Sequence, residues 1–425
     1  MTVAPRRLAV LSMHTSPLAQ PGTGDGGGMN VYVRELAAAL ARLGVECEVF
    51  TRADDPGGPA IVSVEPGLTV HHIPAGPVAP VQKESLPDLV EEWTDRVGAR
   101  LEHLAEEGRP VAAIHANYWL SGVAGHALKH RLEVPLMVTF HTLDRVKADA
   151  SPEELSASEP ARRAHAEAAI VGCADAVIAS CSVEADQLVD LYNADPSRIA
   201  IVAPGVEHAF FGPGQRMQAR RAVGLAEDHP VVLFVGRIQP LKGPAVAVDA
   251  LALVRADHGE NRECARSVLV VIGGPSGPHG TDELAAVRRS VNRHGLAGAV
   301  RLLPPQRHEM LSTYFRAADA CVVPSHSESF GLVALEAGAC GVPVIASAVG
   351  GLTTLVDHGR TGYLVEGREA ADYARPLAAV LGDPLAAARM GRAAAARARS
   401  YTWRAAARDL WSRVEELTAS TLVAC

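Results

Sequence analysis

The stretch QPGTGDGGGMN, residues 20–30, stands between a short apolar run, RLAVLSM, and an amphipathic one, MNVYVRELAAALARLG. In that second run Met29, Val33, Leu36, Leu40 and Leu43 recur at steps of four and three, which predicts a helix that Gly44 can end. Strand, glycine-rich loop and helix in this order form the first unit of a parallel α/β sheet. Five glycines in the seven positions 22–28 leave bare N–H groups at a helix start, a setting that suits an anion.

The rhythm continues outward from there. ECEVFT, AAIHA, LMVTFH and DAVIASC read as further buried strands, and the turn-rich VAPGVEHAFFGPG (202–214) interrupts them. VVLFVGRI, SVLVVIGGP, VRLLPP, ACVVPS and PVIAS then start a second series. The expectation is an α/β fold of two doubly wound, Rossmann-like parallel-sheet domains facing across a cleft. They would span residues 1–205 and 206–400, with a C-terminal helix over 401–425 returning to the first domain. The Ala/Arg-rich run from Pro384 reads as a solvated surface helix. Ligands of open α/β sheets collect at the C-terminal strand ends, so the chemistry belongs in strand-to-helix loops.

Composition excludes several classes. The 425 residues carry 40 Lys+Arg against 48 Asp+Glu, a net charge of −8, which gives no nucleic-acid footprint. No apolar run approaches the ~18 residues of a membrane span. The start, MTVAPRRLAVLSMH, fits a first strand better than a signal peptide. Seven cysteines without a CxxC read as reduced thiols of a cytoplasmic protein. There is no HExxH and no closely spaced Cys/His set for zinc, no GxSxG elbow, no Walker A and no DxD.

Four groups of residues carry chemistry. Gly22, Gly24 and Gly27 formally satisfy GxGxxG, and Glu46 or Glu48 follows where a ribose-binding acid would stand, so a dinucleotide dehydrogenase is a rival. About ten residues, HTSPLAQPGT, separate the strand from the glycines, which favours a long loop over a cleft instead. In GRIQPLKG (236–243), Arg237 and Lys242 flank a stiffening proline and can neutralise a departing diphosphate. In SHSESFGLVALEA (325–337), Glu328 lies in a loop and Glu336 in the following helix. The first can meet a sugar hydroxyl and the second a vicinal diol, with the N–H groups near Phe330–Leu332 facing phosphate. Lys83, Tyr118, His141, Thr142, Arg145, Lys147, Arg162 and Arg163 supply cations and hydroxyls for a phosphorylated acceptor. A binding module without turnover would need only part of this set.

With these motifs the whole chain resembles the retaining glycosyltransferases of the GT-B family 4, whose hallmarks are the GR…K loop and ESFGLVALE. SMHTSPLAQPGTGDGGGMNVY, YWLSG, KESLP and GGPSGP are similar to the branch that moves N-acetylglucosamine from UDP to an inositol phosphate in mycothiol synthesis. HANYWLSG, HTLDRVKA and GPVAPVQKESLP depart from that branch's usual wording, around the acceptor. A paralogue joining a GDP-sugar to a thiol such as ergothioneine is the alternative. The resemblance implies that the first domain binds acceptor and the second the nucleotide-sugar. It implies donor contacts from Gln20, Pro21, Gly28, Arg237, Lys242, Gln306, Glu328 and Glu336. Acceptor contacts would come from His14, Asp25, Gly26, Gly27, Gly28, Met29, Asn30, Lys83, Tyr118, Thr142 and Arg162. Catalysis would rest on Arg237, Lys242, His141 and Glu328 without a cofactor. A structural Mg²⁺ would sit on Phe315, Arg316 and Ala318, and the chain would act as a cytoplasmic enzyme capable of forming a homodimer.

Overall fold

A computed structural model describes residues 6–22, 24, 26–150, 159–256 and 264–425. The first sheet has eight strands: β1 (Arg7–Leu11), β2 (Glu46–Arg52), β3 (Ile61–Glu65), β4 (Leu68–Ile73), β5 (Ala113–Asn117), β6 (Leu136–Thr139), β7 (Ala176–Ala179) and β8 (Ile199–Ile201). Their spatial order is β3-β4-β2-β1-β5-β6-β7-β8. The second has six: β9 (Val231–Val235), β10 (Val268–Ile272), β11 (Val300–Leu303), β12 (Ala320–Val323), β13 (Val344–Ser347) and β14 (Gly362–Val365), ordered β11-β10-β9-β12-β13-β14. Every pairing is parallel except β3 with β4. The two doubly wound sheets are therefore those the apolar runs predict. The periodicity missed β3, β4, β8 and β14. The first two form a hairpin at the sheet edge, where the burial of β3 is only partial, so its pattern lacks the continuous apolar run of a central strand.

Each central strand is buried because apolar layers cover both faces. Trp93, Val97, Leu101, Leu120 and Leu128 pack on one face of the first sheet. Val33, Leu36 and Leu40 of the helix Gly28–Arg42 pack on the other, together with Trp403, Leu410, Trp411 and Val414. These last four belong to the helix Trp403–Thr418, which thus completes the first sheet although the chain before it belongs to the second. The two crossings between sheets touch: Val206 N donates to Tyr401 O at 3.2 Å. A Cβ on Gly205 would lie 2.1 Å from Trp403 N, so only glycine permits this approach.

Two expectations need correction. The helix Pro384–Ala398 is not simply solvated, because Met390, Ala394, Ala395 and Ala398 are buried; small alanines let it press close to the helix Leu332–Ala339. Nor are all seven cysteines isolated thiols: the sulfurs of Cys173 and Cys425 are in bonding contact, with Cα atoms 5.5 Å apart. The other five are buried thiols.

Candidate active site

Order reverses between β1 and β5 in one sheet and between β9 and β12 in the other, the crevices where such sheets bind ligands. The two reversals face each other across a cleft of about 1120 Å³. Single small-ligand pockets occupy roughly 300–1,000 Å³, so this one has room for two reactants.

The glycine loop divides its labour. Gly22 (φ +86°) and Gly24 (φ +53°) need the left-handed conformation that glycine adopts without cost. Gly27 and Gly28 are small for another reason: a Cβ on Gly27 would lie 3.6 Å from Arg237 Nε, and one on Gly28 would lie 3.4 Å from Leu332 Cδ1. The first helix's N-terminus thus abuts a guanidinium and a second helix start, both from the opposite domain. Asn30 fastens the loop from below, accepting from Gly27 N (2.8 Å) and donating to Thr15 Oγ1 (2.8 Å) and Ser16 O (2.5 Å).

The dehydrogenase reading fails on this geometry. Sixteen residues separate β1 from the helix Gly28–Arg42. Glu46 opens β2 at the end away from the cleft and pairs with Arg7, while Glu48 is buried against His71 (2.7 Å) and Arg109 (2.9 Å). Neither acid can reach a ribose at the C-terminal strand ends.

In the second domain Lys242 Nζ donates to Glu328 Oε2 at 2.5 Å, each side chain 20 % exposed. Glu336 is buried on the first turns of the helix Leu332–Ala339 and receives His308 Nε2 at 2.7 Å. Burial opposes a charged His308, but Glu336, with Glu35 and Glu309, outweighs it and holds the imidazole above its usual range. His308 escaped the sequence reading; its signal was its place at a helix start just after β11, on the same sheet edge as Gln306, which also lines the cleft.

Among the described residues of the first domain, four non-glycine residues have positive φ: Tyr118, Glu133, His141 and Asn193. Glu133 and Asn193 are left-handed helix C-caps, whereas Tyr118 and His141 both line the cleft. Such strain costs on the order of 1–3 kcal/mol and gathers at functional sites. His141 Nε2 donates to Asn117 Oδ1 at 2.9 Å, and burial, with His115 nearby, pushes its pKa down to about 3. It is a neutral imidazole at pH 7. His14 packs against Tyr118 with ring centroids 4.3 Å apart and the planes tilted by 39°, and its Nδ1 is buried without a partner. Burial, then Lys83, His141, Arg163 and Arg237, holds His14 well below the usual range. Lys83 Nζ lies 5.9 Å from the Tyr118 ring and Arg163 lies 4.9 Å from it. Arg163 also donates to Tyr118 Oη (3.1 Å), Thr142 Oγ1 (3.0 Å) and Glu167 (2.7 Å).

Most of the expected residues therefore converge, including Pro21, Met29 and Thr142. Others do not. Arg162 points outward to Asp88 at 3.1 Å, and its neighbour Arg163, about 100° round the helix, faces the cleft. Asn30 and Gly26 shape the loop from outside the lining, and Arg145 stacks on Tyr192. Gln20 bridges the domains, donating to Pro305 O at 3.2 Å. Asp25 lies outside the described residues. Phe315, Arg316 and Ala318 stand at the end of the helix His308–Ala317, away from the cleft. Their oxygens toward a Mg²⁺ are main-chain carbonyls, Phe315 O already accepts from Ala318 N (3.0 Å), and the neighbouring Asp319 carboxylate is held by Arg216 and Arg220. No chemical step runs through this set.

Contacts across the cleft hold the domains together. Ser329 Oγ donates to His141 O, and Ser180 Oγ donates to Ser329 O at 3.2 Å.

Residues 27–205 match the family described as glycosyl transferase 4-like domain, and residues 215–397 match glycosyl transferases group 1. The chain is 47% identical over 423 residues to the D-inositol 3-phosphate glycosyltransferase 2 of Catenulispora acidiphila, covering 99% of this chain and 98% of that one. It is 48% identical over 401 residues to the D-inositol 3-phosphate glycosyltransferase of Actinosynnema mirum, covering 94% of each. Among solved structures, sucrose-phosphate synthase from Thermosynechococcus elongatus aligns with a TM-score of 0.86 at 33% identity, over 97% of this chain and 99% of that one.

Proposed function

The chain belongs to the glycosyltransferase family that pairs a 4-like domain with a group 1 domain, and from that premise we propose that it moves N-acetylglucosamine from UDP to 1D-myo-inositol 3-phosphate with retention. The names of its relatives support the acceptor. So does the pocket: Lys83, Arg163 and the partnerless Nδ1 of His14 surround a space suited to a phosphate monoester. Nothing there favours a thiol acceptor.

The observation that carries the reading is the meeting of Arg237 with the helix start at Gly27–Gly28. A guanidinium and a helix N-terminus brought together from two domains form a site for concentrated negative charge. A nucleoside diphosphate placed there would have Lys242 within reach and Glu336 for the ribose. Glu328 would exchange the Lys242 ammonium for a sugar hydroxyl. As the bond between the anomeric carbon and the diphosphate oxygen breaks, the acceptor hydroxyl attacks from the same face and gives its proton to that departing oxygen. The neutral His141 can accept a hydrogen bond from the sugar but cannot serve as a cationic acid. Closure through Ser329 keeps water from the oxocarbenium-like centre.

The reading extends to a cytoplasmic enzyme, in keeping with the finding that no helix among the described residues is long and apolar enough to cross a membrane. A homodimer is tested by light scattering. The deciding experiment offers UDP-GlcNAc with inositol 3-phosphate, with inositol, or with a thiol, and follows UDP release and the anomeric configuration by NMR. An α-linked product with the phosphate-bearing acceptor is expected. Transfer only to unphosphorylated acceptors, or a β-linked product, would refute the proposal.

A further inference from the structure

The sequence shows no closely spaced Cys/His set, yet the fold assembles one. His126 and His130 lie one turn apart on the helix Trp119–Leu132, and Cys173 ends the helix Glu159–Cys173. Cys425 arrives on the segment beyond the helix Trp403–Thr418. One ligand atom from each of the four lies within 4.8 Å of every other. None of the four lines the catalytic cleft.

The separations have chemical meaning. Tetrahedral zinc holds thiolate sulfur at about 2.3 Å and imidazole nitrogen at about 2.0–2.1 Å, which spaces neighbouring ligand atoms by about 3.3–3.8 Å. Here His130 Nε2 to Cys425 Sγ is 3.2 Å, His126 Nε2 to Cys425 Sγ is 3.5 Å and His130 Nε2 to Cys173 Sγ is 3.7 Å. The two sulfurs touch and would part by side-chain rotation to admit an ion. Two chemistries can join them: a disulfide, which uses neither histidine, and a metal, which uses all four groups. Histidines at i and i+4 that both aim Nε2 at Cys425 Sγ are the arrangement the second chemistry requires and the first does not.

The site is also built. Lys129, on the same helix and fully buried, donates to Cys173 O (2.7 Å), Asp175 Oδ1 (3.0 Å) and Val423 O (2.9 Å). Asp175 Oδ1 in turn accepts from Val423 N at 2.7 Å. This buried ion pair clamps the backbone two residues before Cys425 and delivers its sulfur to the histidines.

We propose that His126, His130, Cys173 and Cys425 form a structural Zn²⁺ site that staples the returning C-terminal segment to the first domain. Sulfur and nitrogen donors in a closed four-coordinate set select zinc over harder cations. Binding would displace two thiol protons and leave a locally neutral site. The staple would join positions 252 residues apart and hold the helix Trp403–Thr418 against the first sheet.

The test uses the full chain, reduced and stripped with a chelator under nitrogen. Titration with Zn²⁺, read by elemental analysis after gel filtration, is expected to give one ion per chain and a higher melting temperature. Co²⁺ in its place should show the visible d–d bands and thiolate charge transfer of a tetrahedral S₂N₂ site. Cys425→Ser and His130→Ala should each weaken binding by more than about a hundredfold, since even outer-shell changes cost 10–100-fold. Donor turnover should survive in both variants, which shows that they fold. No uptake by the reduced chain would overturn the proposal. So would undiminished uptake by Cys425→Ser, or an intact mass two hydrogens light in a protein that takes up no metal once reduced.

Discussion

Lys242→Ala is the most direct challenge to the reading of the cleft. The Lys242 ammonium sits 2.5 Å from Glu328 Oε2 with 20 % of each side chain exposed, a half-desolvated setting. A unit charge developing on a diphosphate oxygen about 4 Å from that ammonium, at an effective dielectric near 20, interacts by about 4 kcal/mol. Losing one donor to a developing oxyanion costs about 2.7–4 kcal/mol in measured cases, so kcat should fall by roughly 10²–10³. The donor KM should also rise, because Glu328 then faces the diphosphate with no cation between them. The assay is steady-state UDP release at saturating acceptor, with the donor varied. A kcat within about a factor of three of the parent, less than ~0.7 kcal/mol, would remove Lys242 from leaving-group stabilisation.

Lys83→Ala should raise the KM for a phosphorylated acceptor about 10- to 100-fold, as loss of a charge-assisted hydrogen bond does, whereas Arg162→Ala should change it less than about twofold, because Arg162 faces Asp88 and solvent; equal effects would refute the assignment of the inward face. Ser329→Ala removes the hydroxyl donating to His141 O and should raise donor hydrolysis relative to transfer, read as free N-acetylglucosamine; an unchanged ratio would detach this contact from water exclusion. His115 is buried with its pKa pushed down to about 3. Its unfolded value is near 6.5, so the unfolded state binds more protons in between, and stability is complete above about pH 6.5 and falls as pH drops toward 3. His115→Gln should flatten that slope by about 1 kcal/mol per pH unit, measured as urea midpoints at pH 5 and pH 7, and an unaltered slope would show that His115 does not titrate in this window.

The sheets and the donor site were legible because their signals are local. Short continuous apolar runs bounded by turn residues fit central parallel strands, and the donor motifs GRIQPLKG and SHSES follow such runs directly, so their residues land at a C-terminal strand end whatever the helices do. Arg162 and Arg163 show where that logic ends. Both belong to EPARRAHAEAAIVGC, a helix so rich in alanine that its apolar stripe does not fix which arginine turns inward. Asn30 was legible as a residue of the loop but not as its fastener, because its partners Thr15 and Ser16 lie across a bend that no periodicity encodes. The cluster of His126, His130, Cys173 and Cys425 was hidden for a third reason: two of its members lie in one helix, and the others enter from 43 and 295 residues beyond His130.

The return of the Trp403–Thr418 helix to the first sheet bears on how the cleft can work. The chain crosses between sheets twice, and the crossings meet backbone to backbone at Gly205, Val206, Tyr401 and Trp403. Two strands of chain pressed together define an axis, whereas one would leave the domains free to swivel. Rotation about that axis would open and close the cleft while keeping the Arg237 loop opposed to Gly27–Gly28. A flexible single linker would let these groups drift sideways, and a displacement of about 1 Å can cost 10²-fold in rate. The packing of Trp403, Leu410, Trp411 and Val414 into the first core would therefore also keep the two halves of the diphosphate site in register, whether or not the segment beyond that helix is stapled.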